Sequence, residues 1–329
     1  MTRVISKALV EQIYTPEEAI KGCFKAFSII SHQKFTAPVR TTLKTDQQDL
    51  LLMPCAVHEE KMTDLAVKIL SVVPGNRARG LPLIPGKCLV YDNETGNLDA
   101  IMDGFMVTFK RTGAVAGATA QLLHPAPAPN VVIFGCGAQG YAGLESILTA
   151  HPEVKQVTCF DFYKPAAESY VKKQSETDKT RTYILGEDVE KAVREADIIH
   201  CATTSKEALF KGEWVKEGAH ISAIGAYKLD MRELPNELLA RPNVRVFIDQ
   251  FEAMREEAGD IMDAINNGFI KEEQLMEFGT VINGDNEGRQ NEKQITIAKM
   301  VGVAAQDTVA SQIIYEIAKE KNLGVVVEI

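Results

Sequence analysis

The spacing of apolar residues changes near position 125. Before it, apolar runs have strand length: Val39–Leu43, Asp49–Met53, Asp64–Val73, Lys87–Asp92 and Leu98–Met102. The first two read as paired strands, and the last two flank Asn93-Glu94-Thr95-Gly96, a hairpin turn. Val4–Tyr14 is short and mixed. Thr15-Pro16-Glu17-Glu18 is a helix start, with Ala19, Ile20, Cys23, Phe24 and Phe27 following at helical spacing. A second helix, Phe109–Leu123, is rich in small residues (Gly113, Ala114, Ala116, Gly117, Ala118, Ala120) and invites close backbone approach. Pro125-Ala126-Pro127-Ala128-Pro129 is a stiff linker.

Beyond the linker, strands alternate with helices: Val131–Phe134, Gln156–Phe160, Tyr183–Leu185, Asp197–Ala202, His220–Ile224 and Val244–Asp249 are the strands, and Asp188–Glu195 is one of the helices. That order predicts a doubly wound parallel sheet of the α/β class. Residues past about 250 read as helical, at Phe251–Ala264, Lys271–Phe278 and Val303–Lys319. Gln294–Val301 and the last helix are both candidates to return to the first domain. The boundaries are set at 1–124 with 302–329 for a sheet-rich α+β domain built from both chain ends, and at 125–301 for the α/β domain.

The stretch Asn130–Gly140 gives the α/β part its chemistry. An apolar strand runs into Gly135-Cys136-Gly137-Ala138-Gln139-Gly140, and Tyr141, Leu144, Ile147 and Leu148 then follow at helical spacing. Strand, G-x-G-x-x-G and helix together form a dinucleotide fingerprint. Gly135 allows the tight turn, Gly137 the approach of a pyrophosphate, and Gly140 the close packing of helix on strand. Free N–H groups at the helix start then bind phosphate. The next strand ends at Asp161, where an acid hydrogen-bonds a ribose 2′-hydroxyl and repels a 2′-phosphate. This favours NAD over NADP, although Lys164 lies near, and a solvated loop acid is the other reading of Asp161.

The totals narrow the classes. A net charge of −9 argues against nucleic acid or an anionic membrane as partner. The six cysteines, at positions 23, 55, 88, 136, 159 and 201, form no C-x-x-C pair. They read as reduced thiols of a cytoplasmic protein, not as a disulfide framework or zinc site. The N-terminus shows no signal-peptide apolar region, and no run approaches the ~20 residues needed to span a bilayer. There is no H-E-x-x-H, metal cluster or Ser-His-Asp order. His200, within Asp197–Ala202, reads as a strand-packing residue.

Two cations stand out in apolar settings. Lys68 lies among Leu65, Val67, Ile69 and Leu70, and Arg111 begins the small-residue helix. A buried ammonium needs a partner. With Arg40, these cations suit a substrate carboxylate; structural ion pairs are the alternative.

These residues, with further blocks, resemble the ornithine cyclodeaminase/μ-crystallin family over nearly the whole chain. The blocks are APVR at Ala37–Arg40, Met53-Pro54, VKILSVVPGNRARGLP at Val67–Pro82, YDNETG, FKRTGAVAG at Phe109–Gly117, GCGAQG, AIGAYKLDMREL at Ala223–Leu234 and TIAKMVGVAAQD at Thr296–Asp307. The resemblance implies a Rossmann NAD-binding domain and a substrate-binding domain through which two subunits pair as a homodimer. It implies a cationic substrate pocket of Arg40, Lys68 and Arg111, with Met53 and Tyr227 beside it. It places Arg111, Thr112, Gly135, Gly137, Ala138, Gln139, Gly140, Asp161, Thr203, Thr204, Ile224 and Gly225 at the cofactor. Hydride transfer needs one group to manage a proton, and Lys68 is the first candidate.

Two departures separate this chain from the cyclodeaminases of the family. They carry an Asp where Tyr227 stands and an acid where Leu51 stands. Asp230 is nearby, at a different place in the motif, and is the second catalytic candidate. The expected activity is therefore NAD(H)-dependent hydride transfer at the α-carbon of a small amino or imino acid, by a ketimine reductase or amino-acid dehydrogenase. The alternatives are an ammonia-releasing ornithine cyclodeaminase that recycles NAD, and a μ-crystallin-like small-ligand-binding protein.

Overall fold

Strands and helices follow one another in the computed structural model, which describes residues 1–38, 41–58 and 63–328. The first part holds β1 (Thr2–Ile5), α1 (Lys7–Ile13), α2 (Pro16–Ser31), β2 (Phe35–Thr36), β3 (Thr41–Lys44), β4 (Asp49–His58), β5 (Thr63–Val72), β6 (Gly86–Tyr91), β7 (Leu98–Asp103) and α3 (Gly104–Leu123). The middle holds β8 (Asn130–Phe134), α4 (Ala138–Ala150), β9 (Gln156–Phe160), α5 (Lys164–Thr177), β10 (Thr182–Leu185), α6 (Val189–Glu195), β11 (Ile198–Cys201), β12 (His220–Ala223) and α7 (Asn236–Leu239). Then come β13 (Val244–Ile248), α8 (Phe251–Glu257), α9 (Gly259–Asn266), β14 (Leu275–Glu277), α10 (Phe278–Ile282), β15 (Ile295–Lys299), α11 (Ala304–Glu320) and β16 (Val325–Val327). The chain divides into two units, Met1–Arg111 with Val303–Ile329, and Thr112–Gly302.

The first unit is a sheet in the order β16-β1-β7-β6-β5-β4-β2, with β3 also on β4. Its strands alternate. Cys55 and Val57, Ala66 and Lys68, Cys88 and Val90, and Ala100 and Met102 are buried on one face. α11 packs on that face across β4, β5 and β6 and also against α2. Alternation therefore turns Lys68 inward, in register with Met53 on one side and Cys88 on the other. The opposite face carries a row of Pro54, Val67, Leu89 and Ile101, aligned across four strands and only half-buried. Thr15 caps α2, its hydroxyl accepting the Glu18 N–H at 3.4 Å, as the Thr-Pro-Glu-Glu run predicts.

The second unit is a parallel sheet in the order β10-β9-β8-β11-β12-β15-β13-β14. One apolar cluster, on one face of the sheet, draws in Leu144, Ile147, Ala167 and Tyr170 from α4 and α5. A second draws in Leu238, Met254, Ile261 and Ala264 from α7, α8 and α9. Covered on both sides, β8, β11, β12 and β15 are buried along almost their whole length, and even their polar members His200, His220, Ser222, Thr296 and Lys299 lie inside. The sheet reverses direction of winding between β8 and β11, and the crevice beyond their carboxyl ends is where ligands bind in such folds.

Four expectations are corrected. The small-residue helix starts at Gly104, not Phe109, so Lys110 and Arg111 sit in its interior. Lys271–Phe278 is not a helix: it is a short 3-10 turn, then β14, whose Leu275–Glu277 pair with β13. Gln294–Val301 does not return to the first unit: β15 lies between β12 and β13 at the heart of the parallel sheet. The units divide within α3 at 111/112, upstream of the proline linker at 125–129. The cause is packing. A Cβ at Gly113 would meet Ala142 at 2.3 Å and one at Gly117 would meet Ser146 at 2.1 Å, so the later turns of α3 lie directly on α4. Among the described residues no helix is long and apolar enough to cross a membrane.

Gly117 provides a direct test. Ser146 Oγ accepts the Gly117 N–H at 2.9 Å and leaves no room for a methyl group. We expect Gly117→Ala to lose about 1–3 kcal/mol by overpacking, although alanine would add about 1 kcal/mol in an exposed helix. Urea unfolding measures the balance, and a stabilised variant would show that α3 and α4 are not in this contact.

Candidate active site

In the first unit, three charged side chains from distant parts of the chain meet. Lys68 on β5 pairs with Asp307 on α11, both buried. Arg111 on α3 donates from Nε to the other Asp307 oxygen at 3.0 Å and from Nη1 to Gln306 Oε1 at 3.3 Å. One carboxylate thus serves two cations, and the cluster carries a surplus positive charge. Burial alone would raise the Asp307 carboxyl pKa. The Arg111 and Lys68 charges, with their hydrogen bonds, outweigh it and bring the group below the usual carboxylate range. Lys68 is shifted the other way from a simple ion pair. Burial, reinforced by the Arg111 charge, lowers its ammonium pKa although Asp307 opposes the change. Arg40 lies outside the described residues.

Asp307 was missed as a site residue, although its motif was noted. Its signal was available: α11 is apolar around it, with Ala305, Val309 and Ala310 buried, and a buried lysine requires an acid somewhere. What the sequence could not supply was that residues 239 positions apart would be the pair.

The second unit holds the fingerprint. Gly135 has φ +96°, and a Cβ there would meet Ala202 O at 2.4 Å. A Cβ at Gly140 would meet Gly135 O at 2.0 Å, while nothing lies within 4 Å of one at Gly137. Gly137 and Ala138 are exposed at the start of α4, whose first N–H groups point outward from the helix end. Asp161 is not a loose loop acid. Its carboxylate accepts the Cys136 N–H and the Tyr163 N–H, each at 2.8 Å, and so braces the glycine turn. Each oxygen keeps a lone pair for a ribose hydroxyl. Among the described residues, the buried Gln139 Oε1 and Thr112 Oγ1 have no partner, as expected of groups that bond a ligand. These features fit a dinucleotide.

At the ends of β11 and β12, Thr203 and Gly225 touch through their backbones, since a Cβ at Gly225 would meet Thr203 N at 2.2 Å. Ile224 is buried and Thr204 exposed. Glu233, which the sequence reading passed over, accepts the Thr203 N–H at 2.6 Å, the Thr203 hydroxyl at 2.9 Å, the Gly225 N–H at 2.9 Å and the Ala226 N–H at 3.1 Å. Asp230 sits otherwise: it is exposed and pairs with Lys206 at 2.8 Å. Tyr227 is also exposed. His124, His151, His200 and His220 are buried packing residues. His200 is buried against Gly143, where a Cβ would meet its Nε2 at 2.1 Å, and burial lowers its pKa to about 4.

With this geometry in view, the relatives can be named. Residues 2–322 match the ornithine cyclodeaminase/mu-crystallin family. The chain belongs to that family. Δ1-Pyrroline-2-carboxylate reductase of Bacillus cereus is 31% identical over 324 residues, covering 98% of each chain. The structure of Thermococcus litoralis Δ1-pyrroline-2-carboxylate reductase, solved with NADH and L-proline, matches with a TM-score of 0.89 at 28% identity, covering 99% of this chain and 100% of that one. An archaeal alanine dehydrogenase dimer with bound NAD matches with a TM-score of 0.87 at 30% identity, covering 99% of each.

The charge cluster predicts its own pH dependence. Asp307 has a depressed folded-state pKa, so its pairing stabilises the fold fully above the unfolded value and is lost as pH falls through the depressed one. We expect Asp307→Asn to cost about 3–5 kcal/mol at neutral pH by leaving the buried Lys68 ammonium and the Arg111 guanidinium without their counter-charge. That gap should narrow progressively below about pH 4. Unfolding curves at a series of pH values would show it, and a gap constant with pH would mean that Asp307 is not ionised in the fold.

Proposed function

We propose that this chain is an NAD(H)-dependent oxidoreductase of small amino or imino acids, a ketimine reductase or amino-acid dehydrogenase. The observation that carries the reading is the buried Lys68–Asp307–Arg111 cluster, with two cations for one acid. Its surplus charge calls for a second carboxylate, and the α-carboxylate of the substrate is the one that fits. Arg111 holds that carboxylate through its planar fork of donors; Arg40 is proposed as a further contact. Lys68, its ammonium pKa lowered by burial, is the group suited to give a proton to the nitrogen as the imine is reduced and to take one in the reverse direction. Asp307 touches neither partner of the reaction: it holds Lys68 and Arg111 side by side. Met53, across from Lys68 in the sheet, borders the same place.

Gly135, Gly137, Ala138, Gln139 and Gly140 would hold the pyrophosphate of NAD, Asp161 its adenosine ribose, and Thr112, Thr203, Thr204, Ile224 and Gly225 its other half. When bound, NAD(H) supplies or accepts the hydride at C4 of its nicotinamide. The reductase and dehydrogenase named above favour simple redox turnover. So do Tyr227 and Leu51, which stand where the cyclodeaminases carry acids. Asp230, paired with Lys206 in solvent, is the weaker proton carrier.

We also propose a homodimer that closes the apolar row of Pro54, Val67, Leu89 and Ile101. The six buried free cysteines support a cytoplasmic setting. Light scattering that finds a monomer at micromolar concentration would refute the dimer.

The deciding assay follows NADH absorbance with cyclic imino acids, and NAD reduction with a panel of amino acids. Net change is expected. Ammonia release without net change would instead identify a cyclodeaminase, and tight binding of a ligand without turnover a binding protein. kcat/KM should favour NADH over NADPH, and Asp161→Ala should narrow the difference. Lys68→Met should lower kcat and substrate affinity while leaving NADH binding intact. Near-normal kcat in that variant would remove Lys68 as the proton carrier.

A further inference from the structure

Glu233 has no surface: it is fully buried just beyond the loop that follows β12. Its two oxygens collect four donors, from Thr203, Gly225 and Ala226. The first belongs to the loop after β11 and the others to the loop after β12, so one side chain ties two strand ends together. Glu233 is itself clamped. Asp260 Oδ1 accepts the Glu233 N–H at 2.5 Å and the Leu234 N–H at 2.9 Å. Lys299, from β15, pairs with Asp260 at 2.9 Å and donates to Ala226 O at 2.5 Å. Glu233, Asp260 and Lys299 are all buried, and the Lys299 charge offsets part of the cost of holding two acids there. Thr203 also touches the fingerprint, because a Cβ at Gly135 would meet its Cγ2 at 3.1 Å.

We propose that Glu233 is the positioning residue for the nicotinamide half of the bound dinucleotide. The inference rests on the cofactor reading above and adds what sets the shape of that end of the site. Four donors converging on two oxygens require the ionised carboxylate, since a protonated oxygen would face a donor. The N–H and hydroxyl of Thr203 and the N–H groups of Gly225 and Ala226 are all taken by one carboxylate, so neither loop offers those donors to a ligand. Loop ends whose N–H groups are already taken disfavour an anion, and so suit the ribose and amide end of the cofactor and not its pyrophosphate. An amide at 233 would turn its own N–H2 toward two of those N–H donors. The loops would have to part, while Gly137 and Asp161, just beyond the ends of β8 and β9, would keep their places.

The experiment compares two probes by titration calorimetry on the full-length chain. NADH carries the nicotinamide riboside and ADP-ribose lacks the nicotinamide. In Glu233→Gln we expect NADH to bind about tenfold more weakly or worse, the equivalent of one or two lost hydrogen bonds, with ADP-ribose unchanged within about twofold. NADH affinity unchanged within about twofold, or equal loss for both probes in a folded variant, would overturn the proposal. Should Glu233→Gln fail to fold, Thr203→Val decides: it removes the hydroxyl that donates to Glu233 and accepts the Ser205 N–H at 3.2 Å, and it must weaken NADH selectively or the proposal fails. If the unmutated chain bound neither probe, the cofactor reading itself would be at fault, a result distinct from any of these.

Discussion

A lysine turned into the covered face of a sheet needs a carboxylate, and that requirement organises the first unit. Lys68 is inward because β5 alternates and its neighbour Ala66 is inward. No acid on the adjacent strands serves it; the one that does comes from α11, near the other end of the chain. Arg111 then joins the same carboxylate from α3. The unit thus contains both chain ends for an electrostatic as well as an apolar reason: α11 both covers the sheet and supplies its counter-charge. Burial of an ion group is rarely the cheapest way to stabilise a core. Its retention here fits a site that must hold a charged ligand.

The second unit uses carboxylates differently. Asp161, Glu233, Asp249 and Asp260 accept backbone N–H groups in the loops around the sheet. Asp249, for instance, receives Val301 at 2.8 Å and Gly302 at 2.6 Å, where the chain leaves β15. Irregular backbone beside a parallel sheet cannot satisfy its donors through the ladder, and an acid takes several at once. Part of the negative charge of −9 is therefore internal scaffolding for loops, not a surface field.

What the sequence disclosed follows the range of the interactions. The fingerprint is local, six residues between a strand and a helix, and its spacing carries its geometry. Most strands from β8 to β13 are legible because their runs are largely apolar, although β10 is partly exposed and β12 alternates His220 and Ser222 with Ile221 and Ala223. The place of β15 stays open in the sequence because its neighbours in the sheet, β12 and β13, precede it in the chain, and periodicity is silent on strand order. β14 was taken for a helix because Lys271–Phe278 is short and its polar 3-10 turn has helix-forming composition. Asp307 and Glu233 share one cause. Each acts through partners fixed only by the fold, in one case 239 positions away.

The two sets of acids also separate two demands on the protein. Asp307 must hold Lys68 without fixing its proton. A single carboxylate opposite a single ammonium would stabilise the charged form and raise its pKa. Burial is the largest influence on Lys68, and the repulsion of the Arg111 charge adds to it, so the Lys68 pKa falls although Asp307 opposes the change. A general acid works best when it can lose its proton near the working pH. Glu233 faces the opposite demand, to stay charged. Burial raises its carboxyl pKa, and the Lys299 charge with the Thr203 N–H opposes the rise. The number of cations per acid, two at Asp307 and one shared by Glu233 and Asp260, thus separates a cluster suited to moving a proton from one suited to holding backbone still.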